Sequence, residues 1–495
     1  MKRFLSLLCA ILMLVSATAS CGKAEPADTT AATTTAAVAS EAEATATTNP
    51  AETEPPKAFD SVPAQELGGE FHIRYAQADN CFEDFHAETL NGDVKNDLIY
   101  ERNSMVEEKL GVDIQISWAE YPEVNNECKI QVQSGTTDFD LFGGHRTSLA
   151  LSHQGFQYDL AKIPTLNLGG EWWDQSYVNA VTVNDSVYTV IGDAAVSTLL
   201  FVSSMTFNKD LMDEANIAYP YDLVREGKWT LDALQTMTTD YGSDLNGDGR
   251  YVRETDRFAL IGWGTESSYS LFYSADFSFV NRDTSGNPAL TFDTDKLVSI
   301  LEKNLDIWIR DNVYLHTGTA DAKEHELTYT VFAENRSLFS DIVLSKIGTF
   351  YSAMENDFGI VPPPKYDEEQ KNYRAYLGYT IPVLFISAGT PDPERTGTVM
   401  EALCTASYDH VTPQMYEIVT KLQNARDEDS SEMIEIIIRN KCIDTAHFYD
   451  LLGYGSMART VITTQNHNIA SLSKTYEKVA AKEWDKIMAG FEKLG

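Results

Sequence analysis

Residues 96–118 read NDLIYERNSMVEEKLGVDIQISW, and their apolar period changes once. Leu98, Ile99, Arg102, Met105, Val106 and Leu110 recur at helical spacing. Gly111 stands where a helix takes a left-handed closing residue, and Val112, Ile114, Ile116 and Trp118 then alternate. Upstream, Phe71, Ile73 and Tyr75 alternate in FHIRYAQ. Strand, helix, strand is the repeating unit of a parallel sheet, so the spacing predicts an α/β protein. The pattern goes on: NECKIQVQSG reads as a short helix, DFDLFGG as a strand ending in a glycine turn, and SLALSHQGF as a further helix start. Near the other end, SEMIEIIIRNK puts Met433, Ile434, Ile437 and Ile438 on one side, with Ser431 as the expected cap. Residues 59–495 are enough chain for two lobes.

The N-terminus sets the compartment. Lys2 and Arg3 precede an apolar run from Phe4 to Val15, and SATAS leads to Cys21, so 1–20 reads as a signal peptide. A cysteine at that place resembles the lipobox of bacterial lipoproteins, with Thr18 where leucine is usual. A diacylated Cys21, palmitate included, would hold the protein at the extracellular face of the membrane; the alternative is an ordinary secretory signal. From 21 to 58 the chain is Ala, Thr, Glu and Pro with almost nothing large and apolar to bury, the composition of a disordered tether. No later stretch supplies the ~20 apolar residues of a membrane helix.

With 38 Lys and Arg against 74 Asp and Glu, the net charge is -36. Such a balance repels phosphate backbones, so nucleic acid is not an expected partner. Cys81, Cys128, Cys404 and Cys442 show no CxxC spacing, which leaves zinc and redox motifs unsupported. Two disulfides are possible in an exported chain, but Cys404 reads as a buried free thiol on an apolar helix face.

Catalytic signatures are missing: there is no GxSxG elbow, no Walker loop, no HExxH, and KEHEL at 323–327 offers only His325. Aromatic clusters say more. EWWDQ joins Trp172 and Trp173 beside Asp174, and LIGWGTESSYSLFYS gathers Trp263, Tyr269 and Tyr273. Flat rings next to carboxyl and amide groups suit a sugar, whose C–H faces stack while its hydroxyls hydrogen bond. The competing reading buries those rings in lobe interiors.

Residues 244–249, DLNGDG, resemble the first half of a calcium loop, with Asp244, Asn246 and Asp248 at alternating positions and a carbonyl offered by Arg250. Position 12 is Thr255, and RFALIGW alternates like a strand, so no regulatory calcium switch is expected. What remains is one structural calcium held by Asp244, Asn246, Asp248, Asp256 and the Arg250 carbonyl, or a metal-free turn of Asx and glycine. No other cofactor is called for.

In order, the lipobox, NDLIYERNSMVEEKLGV, SGTTDFDLFGG, WWDQ, MTFNKDLM, YPYDLVREGKWTLDAL, DLNGDGRYVRETDRFAL, DFGIVPPPKYD and ARDEDSSEMIEIII resemble the extracellular solute-binding lipoproteins of bacterial ABC importers, the group related to maltose-binding protein. The resemblance implies a type II periplasmic-binding fold: two α/β lobes with a hinge and an interlobe ligand cleft. It places 66–204 and 337–388 in lobe 1 and 205–336 and 389–495 in lobe 2, with FNKDLM marking the first crossing. It points to Gln77 and Asp79 after the first strand and to His145 and Arg146 after DFDLF as ligand contacts; both loops depart from the maltose protein. From the residues themselves, Arg146 fits a bidentate ligand contact or a salt bridge, His145 a contact or a turn cap, and Asp193 a hydroxyl acceptor or a partner of turn amides. The implied function is a monomeric, non-enzymatic receptor that captures a carbohydrate and delivers it to a permease. A surface-anchored carbohydrate hydrolase and a receptor for a non-sugar solute such as a peptide are the alternatives.

Overall fold

The change of period at Gly111 is where the backbone turns. The computed structural model describes residues 57–77, 81–318, 322–377, 381–417 and 427–494. The signal peptide, Cys21, the tether as far as Pro56, and Asp79 lie outside the described residues. The helix Val94–Leu110 opens on Asp93, whose carboxylate accepts from the Asn96 amide at 2.9 Å, and it closes on Gly111 at φ 61°. Its inward stripe is Leu98, Ile99, Arg102, Val106 and Leu110, so a guanidinium sits among the aliphatics. The strands on either side then run parallel, in register from Glu70 opposite Asp113 to Gln77 opposite Glu120.

In chain order the strands are β1 (Glu70–Gln77), β2 (Asp113–Glu120), β3 (Leu141–His145), β4 (Ser203–Asn208), β5 (Phe258–Trp263), β6 (Val280–Arg282) and β7 (Pro288–Leu290). They continue as β8 (Val313–His316), β9 (Ser337–Val343), β10 (Phe358–Val361), β11 (Ala375–Tyr376), β12 (Pro382–Phe385) and β13 (Lys441–Cys442). One sheet has the order β12-β3-β1-β2 and the other β10-β4-β9-β5-β8. β12 runs antiparallel to β3, while β4 runs antiparallel to both β9 and β10. The pairs β11-β13 and β6-β7 lie outside both sheets.

This order corrects the division of the chain. β9 and β10 were expected in lobe 1, yet they flank β4 in the second sheet. β4 itself belongs there, so the chain enters the second sheet at Ser203, ahead of FNKDLM. The helix Pro393–Ala406, expected in lobe 2, packs on the helix Val94–Leu110 of the first. The cause is burial: every residue of β4, β9 and β10 is buried, and a strand covered on both faces has no alternation to say which sheet it serves. Two smaller corrections follow. Gly143 and Gly144 lie inside β3, because a Cβ on Gly143 would fall 1.8 Å from the Tyr75 ring. The helix Glu428–Arg439 is capped by Asp427, whose carboxylate accepts from the Ser430 amide at 2.6 Å, with Ser431 already in the first turn.

The chain leaves the first sheet through Phe201 and Val202, and Val202 bridges Leu377 just before β12 returns. The last helix, Ile469–Glu492, touches both sides: Phe491 lies 5.7 Å from the Tyr188 ring, while Thr294 donates to Glu477 at 2.9 Å. Cys128, Cys404 and Cys442 are buried free thiols, and burial pushes the Cys404 thiol far up.

Candidate functional site

In parallel α/β sheets, ligands meet the carboxyl ends of the strands. On the first sheet those ends are Gln77, Glu120 and His145. His145 caps the 3-10 turn Arg146–Leu151, with Nδ1 3.4 Å from the Thr147 amide, and its ring lies 4.6 Å from that of Tyr121. Arg146 is only 5% exposed, and one Nη donates to the carbonyl of His447 at 2.8 Å. Lobe 1 is thereby joined to the C-terminal segment at the mouth of the second sheet.

On the second sheet the corresponding ends are Trp263, His316 and Val343. Trp263 is stacked on His316 with centroids 4.4 Å apart and takes His325 edge-on at 4.7 Å. Two carboxylates close the ring: Glu324 lies 3.9 Å from His316 Nδ1, and Glu266 lies 3.7 Å from His325 Nε2. The helix Gly264–Ser274 then carries Tyr269 and Tyr273 inward. Tyr269 meets His447 edge-on at 4.4 Å, and Tyr273 stacks on Tyr376 at 4.9 Å. His447 Nδ1 faces the Gly455 carbonyl at 3.1 Å; burial, with Arg146 next, holds its imidazole well below the usual range and keeps it neutral. Behind the tyrosines Ser270 donates to Asp341 at 2.7 Å, and burial pushes the Asp341 carboxyl up to about 7. Arg146, His447, Tyr269, Tyr376, Asp341 and Glu266 thus form one polar path from lobe to lobe. Buried except at Glu266, it gathers acceptors, ring edges and a fixed guanidinium, the group types a small-ligand site uses.

Of the expected ligand positions, Arg146, Tyr269 and Tyr273 come together here, all of them buried, with Trp263 close by, and Gln77 and His145 end strands of the first sheet. Trp263 does not offer an open face, since both histidines pack on it and it is 7% exposed. The other aromatic pair goes elsewhere. Trp173 is 1% exposed in the first lobe, its indole donating to Glu401 at 3.2 Å. Trp172 packs beside Tyr408, and Asp174 caps the helix Gln175–Val181 while pairing with Lys441 at 2.9 Å. Asp193 accepts from the Thr412 hydroxyl at 2.9 Å, and burial raises its carboxyl to about 7. Trp173 plugs the first lobe, because a large ring repays burial more than exposure, whereas Trp172, Asp174 and Asp193 are only partly buried. Asp341, Tyr376 and His447 escaped the sequence reading, since nothing in SLFSDIV or DTAHFYD marks which side chain the fold turns inward.

The residues expected to hold calcium lie in one loop whose carboxylates accept backbone amides. Asp244 accepts from the amides of Gly247 at 2.7 Å and Gly249 at 2.6 Å, and Asp248 accepts from Arg250 at 2.9 Å. Asp256 accepts from Leu245 at 2.9 Å and Val252 at 2.7 Å, and Asn246 accepts from Asp248 at 2.9 Å. Among the described residues no three acidic, histidine or cysteine side chains form a group that could hold a metal ion. The loop is an Asx and glycine turn built on amides. A chelator is expected to leave the melting temperature unchanged, whereas Asp244→Ala removes charged acceptors worth about 1 to 2 kcal/mol in denaturant unfolding.

Two α/β sheets with a polar path from Arg146 to Asp341 make a fold of the type II periplasmic-binding class. The family model of bacterial extracellular solute-binding proteins matches residues 104–429, and the chain belongs to that family. No curated protein matches the sequence. Among solved structures, the extracellular solute-binding protein of Staphylococcus aureus in complex with maltose is similar at TM-score 0.56 and 9% identity, covering 84% of this chain and 97% of its own. An ABC substrate-binding protein of Listeria monocytogenes in complex with cycloalternan is similar at 0.54 and 12%, covering 84% and 99%. The GacH receptor of Streptomyces glaucescens, solved with acarbose, is similar at 0.50 and 13%, covering 87% and 99%. At such identities the likeness is one of fold. The family and these neighbours are binding proteins.

Proposed function

We propose that this protein is a non-enzymatic receptor that captures a carbohydrate between its two sheets and hands it to an ABC permease, held at the outer membrane face by lipid on Cys21. The observation that carries the reading is the path from Arg146 through His447 and Tyr269 to Asp341 and Glu266, where acceptors and rings of both lobes converge. The maltose, cycloalternan and acarbose named with the similar structures support a sugar. Binding favours the closed arrangement only through contacts the open one lacks.

The test is titration calorimetry of the purified protein against oligosaccharides and, in parallel, short peptides. Saturable sugar binding with no heat from peptides supports the reading; the reverse overturns the sugar, and hydrolysis of a chromogenic glycoside overturns the receptor. Tryptophan emission adds a local readout. A ligand is expected to shift it in wild type and in Trp172→Phe, but not in Trp263→Phe, because Trp263 ends β5 at the binding edge while Trp173 is sealed in the core. Cys21→Ser is expected to release the protein from membranes into the medium on fractionation.

A further inference from the structure

Behind Tyr376 lies a small cavity with room for one water-sized group, whose polar lining is Ser203, Glu266, Tyr269, Ser270, Asp341 and Tyr376 and whose apolar lining is Ile342 and Val343. Neither lysine nor arginine is among its lining side chains. Two carboxyls and several hydroxyls therefore converge on a point with no cation to balance them. The Tyr376 hydroxyl is buried, on a residue 2% exposed, and has no hydrogen-bond partner. Glu266 Oε2 is likewise buried without one, its nearest base being His325 Nε2 at 3.7 Å. Of the acids only Asp341 is tied locally, by the Ser270 hydroxyl at 2.7 Å. Glu266 links this cavity to the surface, its side chain 26% exposed.

A water or a sugar hydroxyl can bond the Tyr376 hydroxyl and the Glu266 oxygen but brings no charge to set against two carboxyls. A primary ammonium brings three donors and no acceptor, is about the size of a water, and supplies the missing charge. We infer that this cavity is an ammonium subsite, and that the captured solute is an amine-bearing carbohydrate rather than an all-hydroxyl one. The second half rests on the carbohydrate reading above; the first half does not. That burial holds the Asp341 carboxyl up is in keeping with a site whose counter-cation arrives with the ligand. The net charge of -36 draws cations toward the protein as a whole.

Two arms separate the parts. In the first, methylammonium chloride and sodium chloride are compared at equal tens-of-millimolar concentration by thermal melting of the purified protein. Methylammonium is expected to raise the melting temperature by about 2 °C over sodium. Asp341→Asn and Glu266→Gln should each abolish that increment, and circular dichroism checks that both variants fold. In the second arm, β-1,4 oligosaccharides of glucosamine, N-acetylglucosamine and glucose are titrated by calorimetry. The glucosamine series is expected to bind about 30-fold tighter than the glucose series, the gain of a charged hydrogen-bonded group, with Asp341→Asn removing the preference. An increment from methylammonium with no oligosaccharide bound would keep the subsite and overturn the sugar. Oligosaccharides bound without preference for the amine, and no increment from methylammonium, would overturn the subsite and leave the receptor standing.

Discussion

Replacing Arg102 with alanine is expected to cost about 3 to 5 kcal/mol of folding stability, the loss found when one partner of a buried charged network is deleted. Arg102 is fully buried and spends its guanidinium on four segments. One Nη donates to the Ala194 carbonyl at 2.9 Å and to Ser407 Oγ at 3.2 Å. The other donates to the Asp84 carbonyl at 2.9 Å and to Asn103 Oδ1 at 2.9 Å, and the Phe85 ring lies 5.1 Å from its carbon centre. Desolvation lowers the guanidinium to about 10, still far above any working pH, so the group stays charged. Asp84 is the nearby carboxylate. Fully buried, it accepts from the Ser197 amide at 3.1 Å and lies 3.4 Å from Lys95. Alanine would strand two carbonyls and leave a cavity. Methionine would fill the cavity and still strand the carbonyls, so it should recover only part of the loss. The measurement is the urea midpoint, with Arg439→Ala as control: that side chain is 77% exposed in one helical pair with Glu435, and its removal should cost under about 0.5 kcal/mol. Equal effects of Arg102→Ala and Arg439→Ala would remove the brace from the account. The same network fixes the turn that begins at Ala194, next to Asp193, so a loosened Arg102 should also soften the first lobe's face toward the helix Pro393–Ala406.

How far the sequence speaks is visible in these residues. The unit β1, helix, β2 was legible because its apolar residues change period at Gly111, and Arg102 appeared on the inward stripe by spacing alone, although no spacing says what a buried guanidinium bonds to. The division into sheets was not legible. β4, β9 and β10 are buried throughout, so their sequences record burial and not neighbours, and the first sheet takes its last strand, β12, from a stretch far along the chain. At the site, clustering on one helix was readable: Tyr269 and Tyr273 are four apart on Gly264–Ser274 and point the same way. Adjacency in sequence misled at WWDQ, where the ring of Trp173 turns into the core, and at DLNGDG the spacing of the acids did not show that they accept backbone amides. His447 and Asp341 reach the path only through long-range packing, which one chain read alone does not record.

Asp341→Asn is expected to stabilise the protein at pH 8 and to leave its stability nearly unchanged at pH 4. The carboxyl is ordinarily at 3.8, and burial in the fold raises it to about 7. Between about pH 4 and 7 the unfolded chain has given up this proton while the folded chain keeps it, so the unfolded state binds fewer protons and stability falls as pH rises. Below pH 4 both states are protonated and asparagine replaces a neutral acid of the same shape. Above 7 the folded protein holds a desolvated anion. A gap of about 3 units corresponds to at most about 4 kcal/mol, and partial relaxation of the site brings the expected gain at pH 8 to about 2 to 4 kcal/mol. Asp193, raised to about 7, and Asp444, raised to about 6, push in the same direction, while His447, held neutral below its usual range, pushes the other way as pH drops under 6.5. The difference between variant and wild type cancels those contributions, which is why the urea midpoints of both proteins should be compared across pH. A difference independent of pH would mean that Asp341 is not held up by the fold. A buried acid that weakens the protein at neutral pH and lacks a basic partner in its own cavity is retained at a cost in stability. The combination expected of Asp341→Asn, greater stability together with weaker capture of the solute, would place that cost in binding.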